Sequence, residues 1–417
     1  MSLVWSAYRI AAPLIGAAAP AARAFAPAAE RRLWGERMGQ VDASGMVDAW
    51  IHAASLGEAL AVGPLVRELE RMAPGARFHL TATTASGRAR LGTLGPPSSL
   101  APLDVPQAVS RFMAALEPKR LFLIETELWP HWLLAARAAR VPVVIVSARL
   151  SAGSVPRYQL MGGRFRSLMA DLSAVLAQSE ADAERWRELG APTPRTAVVG
   201  NLKDDALPGP VSDRSRARTD LGLDPDRRLL VLGNLRPGET HCLALAWRLG
   251  SRHVASRWQV VAVPRHPHAS ARLRREAQMS GQAIVDEGAP PTGAWRWDDR
   301  LGVLGAYYGA ADLAVLGGTF LPYGGHNPLE PAARGVPVLL GPHYASQAAA
   351  VGALIAAGAA RECRGADGLA GMLGLWLGGD APRRKAGEAA LAVVAARRGA
   401  AARAVAQLAA WNLWPAA

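Results

Sequence analysis

From residue 48 onward, short apolar runs alternate with amphipathic stretches. Residues 49–54 form an apolar run interrupted only by His52, and the spacing of apolar positions after it predicts a helix from about Glu58 to Arg71. Further strand-like runs occupy residues 77–82, 120–124, 141–146 and 174–177. Runs this short and this continuously apolar suit strands buried on both faces, so the rhythm predicts an open parallel sheet covered by helices on each side. The pattern lapses between residues 207 and 226, where Pro, Asp, Ser and Arg dominate, and this stretch reads as a linker. It restarts with residues 228–233, a helix through about Gly250, and runs at 258–263, 283–285, 313–316 and 336–340. Each half opens with a strand, a turn of small residues and then Gly-Glu at a helix start: Ser55 to Glu58 in one, Arg236 to Glu239 in the other. The expected fold is therefore α/β, with two Rossmann-like doubly wound domains facing each other across a cleft. The expected boundaries are a terminal segment 1–32, a first domain 33–206, a linker 207–226, a second domain 227–385 and a C-terminal helix within 386–417 that packs back on the first domain.

Composition narrows this little. The 417 residues are 50% apolar, enough for sizeable cores. Lys and Arg outnumber Asp and Glu by 47 to 34, a net charge of +13 that suits an anionic membrane or phosphorylated substrates. No aromatic-basic stacking pattern points to nucleic acid. The two cysteines, Cys242 and Cys363, are far apart in sequence and lack metal-ligand spacing, so the sequence implies no metal and no cofactor. Residues 3–29 are rich in Ala, Leu, Ile and Pro, with Arg9 and Arg23 as their only charges. The basic cluster follows the apolar stretch instead of preceding it, unlike a secretory signal. Two readings fit: a helix lying at a membrane interface, with Trp5 and Tyr8 at headgroup level, or a capping helix on a soluble domain.

Candidate chemistry gathers where strands end. The stretch from Gly317 to Pro331 follows a strand and opens a helix. Gly324 and Gly325 let backbone approach a ligand closely, Asn327 is a good N-cap and Pro328 suits the first helical position. Free N–H groups there favour a phosphate, and Glu330 in the first turn can accept hydrogen bonds from ribose hydroxyls. With His326 in the turn, a nucleotide site is the stronger reading over a capped tight turn. Arg265 and His266 end a strand in the same domain, and Arg265 can bind phosphate or carboxylate bidentately or sit in a solvated loop. In the first domain, Glu58 follows Ser55 and Gly57. Its carboxylate can take a proton from a hydroxyl or serve as a helix-dipole partner. Glu125 and Glu127, two apart past a strand, share a side and either bind sugar, hold neighbouring cations or form a structural ion pair. Arg149, Lys203 and, in the second domain, Arg236 add positive charge.

These residues carry a resemblance. Residues 32–37, Ser55 to Glu58, Glu125 to Pro130, Ala148 to Ser151, Gly200 to Lys203, Pro264 to His266 and Gly317 to Pro331 occur together and in order. The chain resembles the 3-deoxy-D-manno-octulosonic acid (Kdo) transferases of lipopolysaccharide assembly, which have a GT-B fold. The resemblance implies an inverting transfer of Kdo from CMP-Kdo to a lipid A precursor of the lipid IVA type. It implies Glu58 as general base, Glu125 as a second residue needed for activity, and Arg265, the turn from Gly325 to Asn327 and Glu330 as the holders of CMP. It also implies a membrane-associating N-terminus at the cytoplasmic face of the inner membrane.

The sequence departs from the family at three places. The second domain's first turn reads Gly233-Asn234-Leu235-Arg236, without the usual Ser and His, so Arg236 stands in as a phosphate or carboxylate partner. Leu301 to Leu304 lacks the family's Glu, and Asp204 replaces an aromatic residue. The rival expectations are a GT-B transferase using another activated sugar such as a UDP-sugar, and a non-catalytic, membrane-associated nucleotide-binding relative.

Overall fold

The computed structural model describes residues 2–42 and 45–415; the outermost residues of the two terminal segments, Met1, Ala416 and Ala417, lie outside the described residues. The chain forms two compact units, Met1–Ala206 with Arg397–Ala417, and Leu207–Ala396.

The first unit is built on a seven-stranded, wholly parallel sheet, in the order β3-β2-β1-β4-β5-β6-β7. Its strands are β1 (Ala49–His52), β2 (Phe78–Ala82), β3 (Ser98–Leu100), β4 (Leu121–Ile124), β5 (Val143–Ala148), β6 (Ala174–Ala177) and β7 (Thr196–Val198). Alternate residues feed two cores. Trp50, Leu121, Leu123, Val143, Ile145 and Val175 face one side, while Ile51, Phe122, Ile124, Val144, Val146 and Leu176 face the other. Covering both faces explains why these segments read as largely apolar runs, with buried polar exceptions such as His52, His79 and Thr81.

The helix Leu3–Ala22 packs on this unit with its small side. Trp5, Ala12 and Ala19 are buried, and a Cβ on Gly16 would lie 2.8 Å from the Gln107 side chain. Its other side leaves Leu3, Ile10, Leu14 and Ile15 between 57% and 88% exposed. Among the described residues no helix is long and apolar enough to cross a membrane.

The second unit holds another parallel seven-stranded sheet, ordered β10-β11-β9-β8-β12-β13-β14. The strands are β8 (Arg228–Leu235), β9 (Trp258–Pro264), β10 (Ile284–Val285), β11 (Trp295–Trp297), β12 (Leu313–Leu316), β13 (Val338–Leu340) and β14 (Ala360–Glu362).

Two boundaries differ from the sequence expectation. The stretch 207–226 lies wholly in the second unit and contains a helix, Arg214–Asp220. That helix is capped by Asp213, whose side chain accepts from Arg216 N at 2.9 Å, and is anchored by an Arg218–Asp312 ion pair at 2.6 Å. Polar anchoring leaves little apolar periodicity to read. The C-terminal segment from 386 is not one helix. Asp380–Arg397 belongs almost entirely to the second unit, Gly399 turns the chain with φ 86°, and Ala400–Ala410 completes the first unit's core on the helix Leu56–Met72. Asp205 accepts from Gly399 N and Ala401 N at 2.6 and 2.7 Å, which fixes that turn.

Candidate active site

In the first unit the carboxyl ends of β1, β4 and β5 bring together the carboxylates expected from sequence. The chain leaves β1 through Ala53, Ala54 and Ser55 into the helix Leu56–Met72. Ser55 is its N-cap, with Oγ accepting from Glu58 N at 3.3 Å. Glu58 reaches back in return: one carboxylate oxygen accepts from Ala54 N at 2.8 Å and the other from Ser55 Oγ at 2.9 Å. This reciprocal cap holds the Glu58 side chain in a single pose. Burial raises its carboxyl above the ordinary 4.5, and the charges of Glu125 and Glu127 push the same way, against the two hydrogen bonds. Gly57 is exposed at the helix start, where a Cβ would have only Ser55 Oγ nearby, at 3.8 Å.

Glu125 follows β4 in a left-handed conformation, φ 63°, and pairs with Lys203 Nζ at 2.5 Å. Lys203 is itself placed by Asn201, whose side chain accepts from Lys203 N at 2.9 Å. Glu127 points to a different set of partners: Trp129 Nε1 donates to it at 2.7 Å and His52 Nε2 lies 3.5 Å away. His52 is fully buried on β1, bonded through Nδ1 to Thr81 Oγ1 at 2.9 Å, and burial lowers its pKa against the opposing pull of Glu127. Sequence reading passed over His52 because it stands inside an apolar run; a polar residue in an otherwise apolar strand was the available signal. Arg149 is exposed, and its carbonyl accepts from Thr126 Oγ1, tying the end of β5 to the Glu125–Glu127 segment. A bulge at Ser147, φ 54°, breaks the β5–β6 register, and Ser147 Oγ accepts from Leu202 N at 3.2 Å.

The second unit places arginines at the carboxyl ends of β8 and β9, beside the turn that follows β12. β8 also ends in a bulge, at Asn234 with φ 59°. Beyond it Arg236 lies over the Tyr323 ring, 4.4 Å from its centroid, and the Tyr323 hydroxyl donates to Pro237 O at 3.0 Å. Arg265 and His266 follow β9, with Arg265 exposed and its N–H bonded to Leu235 O at 3.0 Å. The Gly317–Glu330 turn folds back on itself through Gly325 N to Gly318 O at 2.9 Å. Both Gly324 and Gly325 have positive φ, near 87°. The His326 ring rests on Gly318, where a Cβ would come within 2.7 Å of the imidazole. Burial, then the charges of Arg265, Arg236 and His266, bring His326 down to about 4, so it is neutral at pH 7. Its Nε2 has no hydrogen-bond partner among the described residues. Asn327 Oδ1 accepts from Leu329 N at 3.0 Å, but the N-cap of the short helix Leu329–Ala332 is Pro328, one residue later than the sequence suggested, because the turn carries Pro328 outside the first helical position. Glu330 is solvent-accessible yet crowded enough that its carboxyl is raised, with Arg265 opposing.

Sequence reading did not single out Glu239 for a role. It is completely buried and accepts three backbone bonds: Arg236 N at 2.9 Å, Gly318 N at 2.8 Å and Phe320 N at 3.0 Å. It clasps the turn after β8 to the turn after β12. Among the described residues no group of three or more His, Cys, Asp or Glu is placed to hold a metal ion.

Residues 32–206 match the family model described as 3-deoxy-D-manno-octulosonic-acid transferase (kdotransferase). The chain is 36% identical over 379 residues to a 3-deoxy-D-manno-octulosonic acid transferase of Bordetella pertussis, covering 87% of each chain. It is 31% identical over 301 residues to one of Haemophilus influenzae, covering 70% of each. Among solved structures, UDP-GlcNAc 2-epimerase from Neisseria meningitidis bound to UDP-GlcNAc superposes with a TM-score of 0.60 at 13% identity, over 87% of this chain and 99% of that one, a likeness of fold. With two doubly wound units of the GT-B class and relatives alike over most of their length, the chain belongs to the 3-deoxy-D-manno-octulosonic acid transferase family of glycosyltransferases.

Proposed function

We propose that this protein transfers Kdo from CMP-Kdo to a hydroxyl of a phosphorylated lipid A precursor, with inversion, at the cytoplasmic face of the inner membrane. The observation that carries the reading is the state of Glu58: a fixed carboxylate, made more basic by burial and by Glu125 and Glu127. A carboxylate held in one pose with a raised pKa suits proton abstraction from a sugar hydroxyl. The acceptor oxygen attacks the anomeric carbon of Kdo as its proton passes to Glu58. The bond from that carbon to the CMP phosphate oxygen breaks, and CMP leaves with the electron pair.

On this reading Glu125 and Lys203 hold the sugar as a pair, since Lys203 prevents two neighbouring carboxylates from repelling an anionic sugar acid. Ser55 and Gly57 shape the entry to the base, and Glu127 and Arg149 contact the acceptor. Arg265, His266, Arg236 and the Gly324–Asn327 turn take the CMP phosphate, and Glu330 takes a ribose hydroxyl. His326, neutral at pH 7, acts there through hydrogen bonding and not as a cation. Charge on the departing phosphate is then met by fixed guanidinium groups and backbone N–H groups. The transfer requires that the two ends face a common substrate.

The membrane part of the reading is supported by the exposed apolar side of Leu3–Ala22 together with Phe25, 92% exposed. Ser2 Oγ donates to Leu160 O at 2.5 Å, which places exposed Leu160, Arg157 and Arg164 near the start of that helix. Apolar side chains beside arginines fit an anionic bilayer surface. The test is mass spectrometry of the product formed from CMP-Kdo and tetra-acylated lipid A precursor. A Kdo adduct supports the reading. No adduct, or inhibition by UDP in place of CMP, refutes it.

A further inference from the structure

A second charged recess lies at the opposite end of the second unit's sheet from the turns described above. It has a volume of about 430 Å³ and opens at the amino ends of β8, β12 and β13, where Arg228, Asp312 and Pro337 stand. Arg214, Arg334, Arg383 and Arg384 complete its charged lining with Asp380 and Glu388.

The charges do not balance. Asp312 is shared by Arg218 at 2.6 Å and Arg214 at 3.8 Å. Asp380 is shared by Arg228 and Arg383. Arg384 meets the exposed Glu388 at 3.8 Å and no other carboxylate among the described residues. Arg334 has no carboxylate within 4 Å among the described residues. Its guanidinium donates to Gly209 O at 2.7 Å, while its buried Nε lacks an acceptor among the described residues. Five guanidinium groups therefore line the recess with three carboxylates, and one of these, Asp312, is also taken by Arg218. Burial lowers the pKa of both Arg214 and Arg334, but arginine does not give up its proton near neutral pH, so the partly desolvated charge needs a counter-anion.

We propose that this recess is a binding site for a phosphate-bearing anion, held by Arg214, Arg334 and Arg384. A phosphate group fits better than a single carboxylate because it has enough oxygens for the several guanidinium groups that line the recess, and the excess positive charge calls for a dianion. Arg383 and Arg218 are framework. Arg383 is buried, donates to Trp376 O at 2.6 Å and lies over the Trp258 ring, while Arg218 secures its own helix. The site is separate from the candidate donor end, which stands at the carboxyl ends of the same strands.

Calorimetric titration of the full chain with pyrophosphate tests this. The wild type should show a site that survives Arg265→Gln and weakens at least tenfold in Arg334→Gln/Arg384→Gln. Arg384→Gln alone changes an exposed side chain that the fold does not use, and it should weaken the same site at an unchanged melting temperature. Equal affinity and stoichiometry in wild type and both recess variants would overturn the proposal. Competition by phosphatidic acid vesicles identifies a lipid phosphate as the source; displacement by soluble phosphomonoesters alone identifies a free one.

Discussion

The Gly57-Glu58 and Gly238-Glu239 turns look equivalent in sequence and stand in contrasting surroundings. Glu58 caps its own helix within four residues, remains partly accessible and is pushed toward higher pKa by two other carboxylates. Glu239 is sealed from solvent, and its hydrogen bonds reach as far as Gly318 and Phe320, some eighty positions along the chain. Burial raises both carboxyls. The same dipeptide at the same topological place thus supplies the base of the proposed transfer in one unit and a structural clasp in the other. What separates them is how many backbone N–H groups the carboxylate gathers and from how far: one from the adjoining turn at Glu58, three from two turns at Glu239.

Four experiments sharpen or break this contrast. The largest effect belongs to Glu58→Gln, for which turnover should fall about 10²–10⁴-fold while the fold loses no more than about 1 kcal/mol. Steady-state kinetics beside urea denaturation separates the two, and full activity in this variant would remove Glu58 as the base. Glu239→Ala should behave conversely. It strands three buried N–H groups, each worth about 1–3 kcal/mol, offset by release of a buried carboxyl, for a net loss near 3 kcal/mol. The shift in denaturation midpoint measures it, and a loss below about 1 kcal/mol would deny the clasp. Third, Arg236→Ala should weaken CMP binding about tenfold, the scale of one charge-assisted contact, with Glu239 and the turn intact. Unchanged affinity would return the anion contact to Arg265 and the glycine turn.

The smallest effect is a displacement in pH. The base works ionised, so activity falls as pH drops through the Glu58 pKa, which lies above 4.5. Because the Glu125 charge contributes to that elevation, Glu125→Gln should move the acid limb to lower pH, whatever it does to the plateau. A limb that moves up or stays would mean that Glu58 does not titrate in it.

The central strands of both sheets were legible because burial on two faces leaves an unmistakable apolar run. β3 and β14 were not, since strands of three paired residues at a sheet edge carry no period. β11 escaped for another reason: Arg296 sits between Trp295 and Trp297, a buried arginine that reads as a surface residue until its bond to Leu221 O is seen. In the candidate site, the segments were found but not the connections. That Lys203 belongs to Glu125 and His52 to Glu127 depends on strand order β1-β4-β5-β6-β7, which no local pattern encodes. The helix within 207–226 was hidden because its stabilisation is ionic, through Asp213 and Arg218, and ion pairs leave no hydrophobic stripe.

Glu125 stands in the left-handed region, where a side chain bearing a Cβ is disfavoured by roughly 1–2 kcal/mol. Glycine at that position would relax the backbone while deleting the partner of Lys203 and the neighbour that tunes Glu58. On the proposed mechanism, folding and chemistry therefore pull in opposite directions at one residue. A laboratory selection for heat resistance alone should accept Glu125→Gly and end with a sturdier, inert protein, whereas selection that demands product should keep the strained carboxylate.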